Sequence, residues 1–151
     1  MMRTAATDPM MDRPGWMSLL ARAAPDDLGT LMPADAPGYD FARAPEIGTA
    51  MVRGRIGATG GAFNLGEMTV TRCTVRLESG EIGHAYVQGR DRDHAARAAV
   101  IDALMQSPRS ADIRETVLRP LIEKAAARSA RRAAQAAATK VEFFTMVRGD
   151  V

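Results

Sequence analysis

The chain has 151 residues, enough for one domain with a core of its own. Its net charge of +2 excludes a strong field toward nucleic acid or anionic membranes, although eighteen of its twenty basic residues are arginine. A single cysteine, Cys73, excludes an internal disulfide and fits a reducing, cytoplasmic setting; MMRTAATDPMMDRPGW lacks the apolar run of a signal peptide, and no stretch approaches the roughly 18–20 apolar residues of a membrane span.

In chain order, residues 1–13 read as a disordered N-terminus and 14–151 as a single α+β domain. RPGWMSLLARA places Trp16, Leu19, Leu20 and Ala23 at helical spacing. Pro25 ends that helix, and PDDLGTLM starts a short second one. The three prolines and one glycine of residues 33–45 predict a loop. Residues 46–57 alternate as a half-buried strand, with Ala50, Val52 and Ile56 on one face. GATGGAFN turns the chain, its glycines supplying positive φ rather than a phosphate loop, because no Gly-Lys-Ser/Thr ending follows and the segment joins two strands. Residues 65–78 form the next strand. Its even set, Met68 and Val70, changes to the odd set Cys73, Val75 and Leu77, which predicts a bulge near Thr71–Arg72. A two-residue Ser79–Gly80 loop then sets Leu77 opposite Ile82, Val75 opposite His84 and Cys73 opposite Tyr86 on one face, with Arg72, Arg76, Gly83 and Val87 on the other. A helix spans 92–107, Pro108 breaks it, and Pro120 opens a long C-terminal helix in its first turn. The expected architecture is an antiparallel three- or four-stranded sheet packed with helices, a long C-terminal helix and an extended tail, with a docking segment at about 139–151.

The chain is 46% hydrophobic, but twenty-eight of those residues are alanine and only seven are aromatic. Alanine buries little area, and a large aliphatic side chain stabilises by roughly 1.5–3 kcal/mol when fully buried. A partner is one way to supply what such a core lacks. PLIEKAAARSARRAAQAAA, residues 120–138, carries a polar stripe of Lys124, Arg128, Arg131, Arg132 and Gln135 on a helix otherwise made of alanine. It is either a solvated surface helix or one that lies tightly against another backbone. The apolar VEFFTMV that follows reads as a docking arm, which makes Phe143, Phe144, Met146 and Arg148, with Arg128 and Arg131, the candidate partner-binding residues.

Between the last strand and its helix lies QGRDRDH. A helix N-terminus with free N–H groups, flanked by Arg90 and Arg92, suits phosphate, and Gln88 and His94 complete a candidate substrate-binding set. Asp91 and Asp93 argue the other way, since Asp91 as N-cap accepts from the N–H of Asp93 or His94. Both readings stand at this point. Cys73, His84 and His94 are too few and too far apart for zinc, so His84 is expected as a hydrogen-bonded core residue and Cys73 as an inert buried thiol; no metal site and no catalytic residue is expected.

GWMSLLARA, RIGATGGAFNLGEMTVTRCTVRL, GHAYVQGRDRDHAARAAVIDALMQ and VEFFTMVRGD together resemble the G subunit of the bacterial carbon–phosphorus lyase system, the PhnG family, from about residue 13 to the end. The resemblance implies a two-fold symmetric core complex with the H, I and J subunits that degrades phosphonates when phosphate is scarce. It implies a transferase step in which ATP loses adenine and a phosphonate takes its place on C1 of the ribose, giving a ribose 1-phosphonate 5-triphosphate. The I subunit is expected to carry that chemistry, with this subunit as accessory, ATP as substrate of the complex and no cofactor of its own. The rival reading is a free-standing Arg-rich module for nucleotide or RNA, which lacks an aromatic stacking platform beside the arginines. An independent hydrolase lacks a catalytic constellation.

Overall fold

The computed structural model describes residues 12–141. In chain order they form α1 (Arg13–Arg22), α2 (Pro25–Leu31), β1 (Tyr39–Arg55), β2 (Ala62–Leu77), β3 (Ile82–Gln88), α3 (Arg92–Met105), α4 (Ser110–Ile113) and α5 (Arg119–Ala138), with a π turn at Arg114–Leu118 between the last two. The class is α+β, with an antiparallel sheet of three strands in the order β1-β2-β3 and a long C-terminal helix.

Asp12 starts α1, because its Oδ1 accepts from the Gly15 N–H at 2.9 Å and Pro14 sits in the first turn. Asp12 and Arg13, expected in the disordered segment, therefore belong to the fold. Arg13 also reaches the polar centre of the core, Asp102, which is fully buried on α3. Asp102 Oδ1 accepts from Trp16 Nε1 at 2.8 Å and Arg13 Nε at 3.2 Å; Oδ2 accepts from Arg13 Nη2 at 2.8 Å and the His84 N–H at 2.9 Å. One carboxylate thus ties α1, α3 and β3 together, and its hydrogen bond to Arg13 holds that guanidinium above its ordinary pKa.

The sheet departs from expectation at its turns. The Gly80 N–H donates to Leu77 O and the Leu77 N–H to Glu81 O, each at 2.9 Å, which closes a three-residue loop with Gly80 at φ 108°. The two-residue Ser79–Gly80 loop is one residue too short, and the register moves by one: Cys73 faces Ala85, Val75 faces Gly83 and Arg76 faces Ile82. With a side-chain period of two, that step reverses β3. Gly83, Ala85 and Val87 turn to the core, while Ile82, His84 and Tyr86 are turned away from it. His84 is consequently no core residue; its Nδ1 lies 3.0 Å from Thr74 Oγ1 on the open face. Cys73 is buried as expected, and desolvation pushes its thiol up to about 11.

Residues 39–45 are strand rather than loop. β1 pairs Tyr39 with Leu77 and Phe41 with Val75, and its irregularities fall between Phe41 and Arg43 and between Arg43 and Glu46. Pro45 has no N–H to donate, and extra residues in an edge strand accommodate it. The bulge expected at Thr71–Arg72 thus lies across the ladder, in β1. β2 needs no slip there: Cys73, Val75 and Leu77 join the core cluster, and Val70 is buried on the opposite face, outside it. Beyond Val70, where β3 ends at Gln88, β1 and β2 continue as a two-stranded ribbon. Ala50, Val52 and Gly54 share one face of it with Met68, Gly66 and Phe63, across a shift between Val52 and Arg53. At its tip Gly57 and Ala58 take φ of 61° and 64°, and Ile56, expected on the half-buried face, is 74% exposed.

α3 packs on the inner face of β2 and β3 with eleven of its fourteen residues buried. Its alanines let the backbones approach closely, and Gly83 is the point of contact: a Cβ there would meet the Ala99 carbonyl oxygen and the Ala103 backbone nitrogen. After Pro108 the chain turns into α4, and the π turn carries it without interruption into α5. Pro120 stands in the first turn of α5, as expected, although the chain enters that helix from the π turn rather than from a loop. α5 buries Leu121 and half-covers Ile122, Ala125 and Arg128, and from Ser129 to Ala138 nearly every residue is exposed.

Candidate functional site

Five elements converge on a cleft of about 570 Å³: the end of α1, the first residue of α2, the end of β3, the start of α3 and the middle of α5. The end of α1 brings Arg22, because the burial of Leu19 and Leu20 turns the next polar position outward. The end of β3 brings Gln88. α3 and its cap bring Asp91 and His94, and α5 brings Arg128, Ser129 and Arg132 at helical spacing on one face.

Within QGRDRDH, Asp91 is the N-cap of α3. Asp91 Oδ1 accepts from the His94 N–H at 2.8 Å. His94 is 3% exposed, and its Nε2 lies 2.8 Å from the Leu20 carbonyl. A carbonyl only accepts, so Nε2 carries the proton and His94 fastens α3 to α1. Of the four expected substrate-binding residues, Gln88 and His94 line the cleft, while Arg90 and Arg92 are exposed and do not. The guanidinium groups at the cleft are those of Arg22, Arg128 and Arg132. Arg22 Nε donates to Ser18 O at 3.2 Å and Arg128 Nη1 to Asp27 Oδ2 at 3.2 Å. Among the described residues no carboxylate lies within ion-pair distance of Arg22 or Arg132.

A smaller cleft of about 400 Å³ adjoins on the other side of Arg128, bordered by Asp27, Lys124 and Arg131. Lys124 Nζ donates to Asp27 Oδ1 at 2.6 Å, and this bond foremost holds the Asp27 carboxyl below its ordinary range. Asp27 so clamps α2 to α5. Arg128, expected to bind a partner, is committed in part to this clamp, and Arg131 borders the smaller cleft. Phe143, Phe144, Met146 and Arg148 lie outside the described residues, as does all of the expected docking segment beyond Val141.

Among the described residues no three His, Cys, Asp or Glu side chains converge on a point that would hold a metal. Cys73 and His84 point to opposite faces of the sheet. Thr74 and His84 form a hydroxyl–imidazole pair, but on the open face, away from both clefts. Sequence reasoning passed over Arg22 and Ser129 altogether and placed Arg132 only on a stripe; the four-residue step from Arg128 to Arg132 was the available signal. No helix of the described residues is long and apolar enough to cross a membrane.

The chain matches the family described as phosphonate metabolism protein PhnG over residues 11–149. It is 46% identical over 136 residues to the alpha-D-ribose 1-methylphosphonate 5-triphosphate synthase subunit PhnG of Rhizobium meliloti (strain 1021), an alignment that covers 89% of this chain and 87% of that one. The two ends of the family match enclose every element of the sheet and both clefts. This chain belongs to the PhnG family of phosphonate metabolism proteins.

Proposed function

We propose that this chain is an accessory subunit of an alpha-D-ribose 1-methylphosphonate 5-triphosphate synthase, acting in phosphonate catabolism within a hetero-oligomer. The near full-length identity to a named subunit of that synthase carries the reading. In the reaction, the bond between adenine and C1 of the ribose in ATP breaks, and an oxygen of the phosphonate forms the new bond to C1. The 5-triphosphate is untouched and serves as a handle. The bond changes take place on a partner, and this chain completes the assembly. The H, I and J subunits are the partners, with a second copy brought in by two-fold symmetry, in the cytoplasm of a phosphate-starved cell.

The distribution of apolar surface supports an assembled state. Ile56 is 74% and Leu65 is 66% exposed on the ribbon, and Tyr39, Phe41, Met51, Phe63, Ile82 and Tyr86 are exposed as well. A two-stranded ribbon is marginally stable in water by itself, and uncovered apolar groups in this number mark surfaces that partners cover. The proposal is tested by recovering tagged chain from phosphate-starved cells. Stoichiometric co-purification of the other synthase subunits is expected, and a variant lacking residues 141–151 should lose them while the sheet still folds, as read by cooperative urea unfolding. Recovery of the chain alone, with nucleotide or RNA bound to it, would replace this reading by the free-standing module.

A further inference from the structure

We propose that the 570 Å³ cleft between α1, α3 and α5 is a binding site for the triphosphate chain of a sugar 5-triphosphate, held by Arg22, Arg128 and Arg132. The identity of the ligand rests on the synthase reading above; the preference for a polyphosphate rests on the cleft itself.

Among the described residues three guanidinium groups face one carboxylate across this cleft, and that carboxylate, Asp91, already accepts a backbone N–H in the α3 cap. Arg22 and Arg132 have no acidic partner among the described residues, whereas Arg13, Arg109 and Arg119 each hold at least one. Other arginines without an acidic partner, such as Arg53, Arg55, Arg90 and Arg92, line neither cleft. Arg22 and Arg132 are thus cations that a concave wall gathers and no carboxylate neutralises. A planar guanidinium presents paired donors that match phosphate oxygens. Leu19, Ala21 and Ala125 give the cleft an apolar side, which lowers the local dielectric and strengthens those bonds. The volume lies in the range of about 300–1,000 Å³ typical of small-ligand sites.

The lining also says what the site does not read. Among the described residues no aromatic ring of Phe, Tyr or Trp borders the cleft, so they offer a base no such platform to stack on. Gln88 and Ser129 supply neutral donors and acceptors suited to sugar hydroxyls. The ligand is read as phosphates and sugar, indifferent to the presence of adenine. A transferase that exchanges adenine for a phosphonate needs such a grip, because the part held here is the same before and after the exchange.

The test is equilibrium binding to the purified full-length chain, with inorganic triphosphate, ATP and adenosine as separate probes. Inorganic triphosphate and ATP should bind within a few-fold of one another and weaken as salt rises, and adenosine should not bind. The double variant Arg22→Ala/Arg132→Ala should weaken triphosphate binding about tenfold or more, as expected when two charge-assisted hydrogen-bonding groups are removed. Both side chains are exposed and have no acidic partner among the described residues, so its urea midpoint should match the parent. Arg53→Ala/Arg55→Ala on the ribbon should bind as the parent does. No binding of inorganic triphosphate, equal weakening in both double variants, or adenosine binding as tightly as ATP would each overturn the proposal. The two proposals fail separately. If the cleft variant binds triphosphate like the parent while the chain still co-purifies with its partners, the cleft reading is lost and the synthase reading stands. If the chain purifies alone yet the cleft variant loses triphosphate, the synthase reading is lost and the cleft reading stands.

Discussion

α3 and the second half of α5 are built from nearly the same residue, yet one is the centre of the core and the other stands in solvent. α3 places Ala95, Ala96, Ala98, Ala99 and Ala103 among buried neighbours, whereas beyond Arg131 α5 leaves every alanine exposed. Intrinsic helix propensity serves both equally. The difference lies in what faces them. α3 meets β3 at Gly83 and Ala85, where the absence of bulk on both sides lets the backbones close up. α5 passes the edge of α2 at its clamp on Asp27 and then runs beyond the body. Alanine content therefore predicts a helix but not its burial; small residues on the opposing element decide that.

The largest effect expected from breaking this contrast comes from Asp102→Ala. It leaves the buried Trp16 Nε1 and His84 N–H without an acceptor while Arg13 retreats to solvent. At about 1–3 kcal/mol per unsatisfied buried donor, a destabilisation of about 4 kcal/mol should appear in urea unfolding. Gly83→Ala follows at about 3 kcal/mol, the upper end of overpacking costs, because the new methyl meets helix backbone that cannot rotate away. If Gly83→Ala unfolds at the parent's midpoint, the close approach of α3 to β3 is wrong. Asp91→Ala comes next, at about 1 kcal/mol for the missing α3 cap. The counterpart of Gly83→Ala on the exposed helix, Ala134→Leu, should stay within about 0.5 kcal/mol of the parent.

How much of this was legible in the sequence follows from the range of each interaction. Asp91 and the 3.6-residue spacing of Trp16, Leu19 and Leu20 act within one or two helical turns, and the helices they mark are where the sequence places them, whereas the Asp12 cap lies in the segment expected to be disordered. The β2–β3 register depended on one residue of loop length, and Glu78 gives no local sign that it belongs to the turn; that single step moved His84 from core to surface. Asp102 was passed over because an acid inside an alanine helix reads as a surface residue until Arg13, Trp16 and the His84 N–H converge on it from eighteen to eighty-nine positions away. The cleft was hidden in the same way. QGRDRDH announced itself as a local cluster, but its arginines stand outside the cleft, and the guanidinium groups that gather come from α1 and α5, over one hundred positions apart.

The smallest effect concerns the last tie before α5 leaves the body. Asp27 accepts from Lys124 at 2.6 Å and Arg128 at 3.2 Å, and the Lys124 bond foremost lowers its pKa from the ordinary 3.8. A carboxyl that ionises more readily in the folded chain adds stability only while it is ionised. The contribution is complete above the unfolded value, near pH 4, and disappears as pH falls through the lowered folded value. Asp27→Asn should flatten the acid limb of the stability curve below about pH 4 and leave the difference from the parent constant above it. The effect is small because both cations are partly exposed and water screens the pair. It is nonetheless directional: amide exchange in α5 before Arg128 should quicken in acid for the parent, while the exposed stretch from Arg132 to Ala138, which has no such clamp, should exchange at the same intrinsic-rate-corrected speed in both chains.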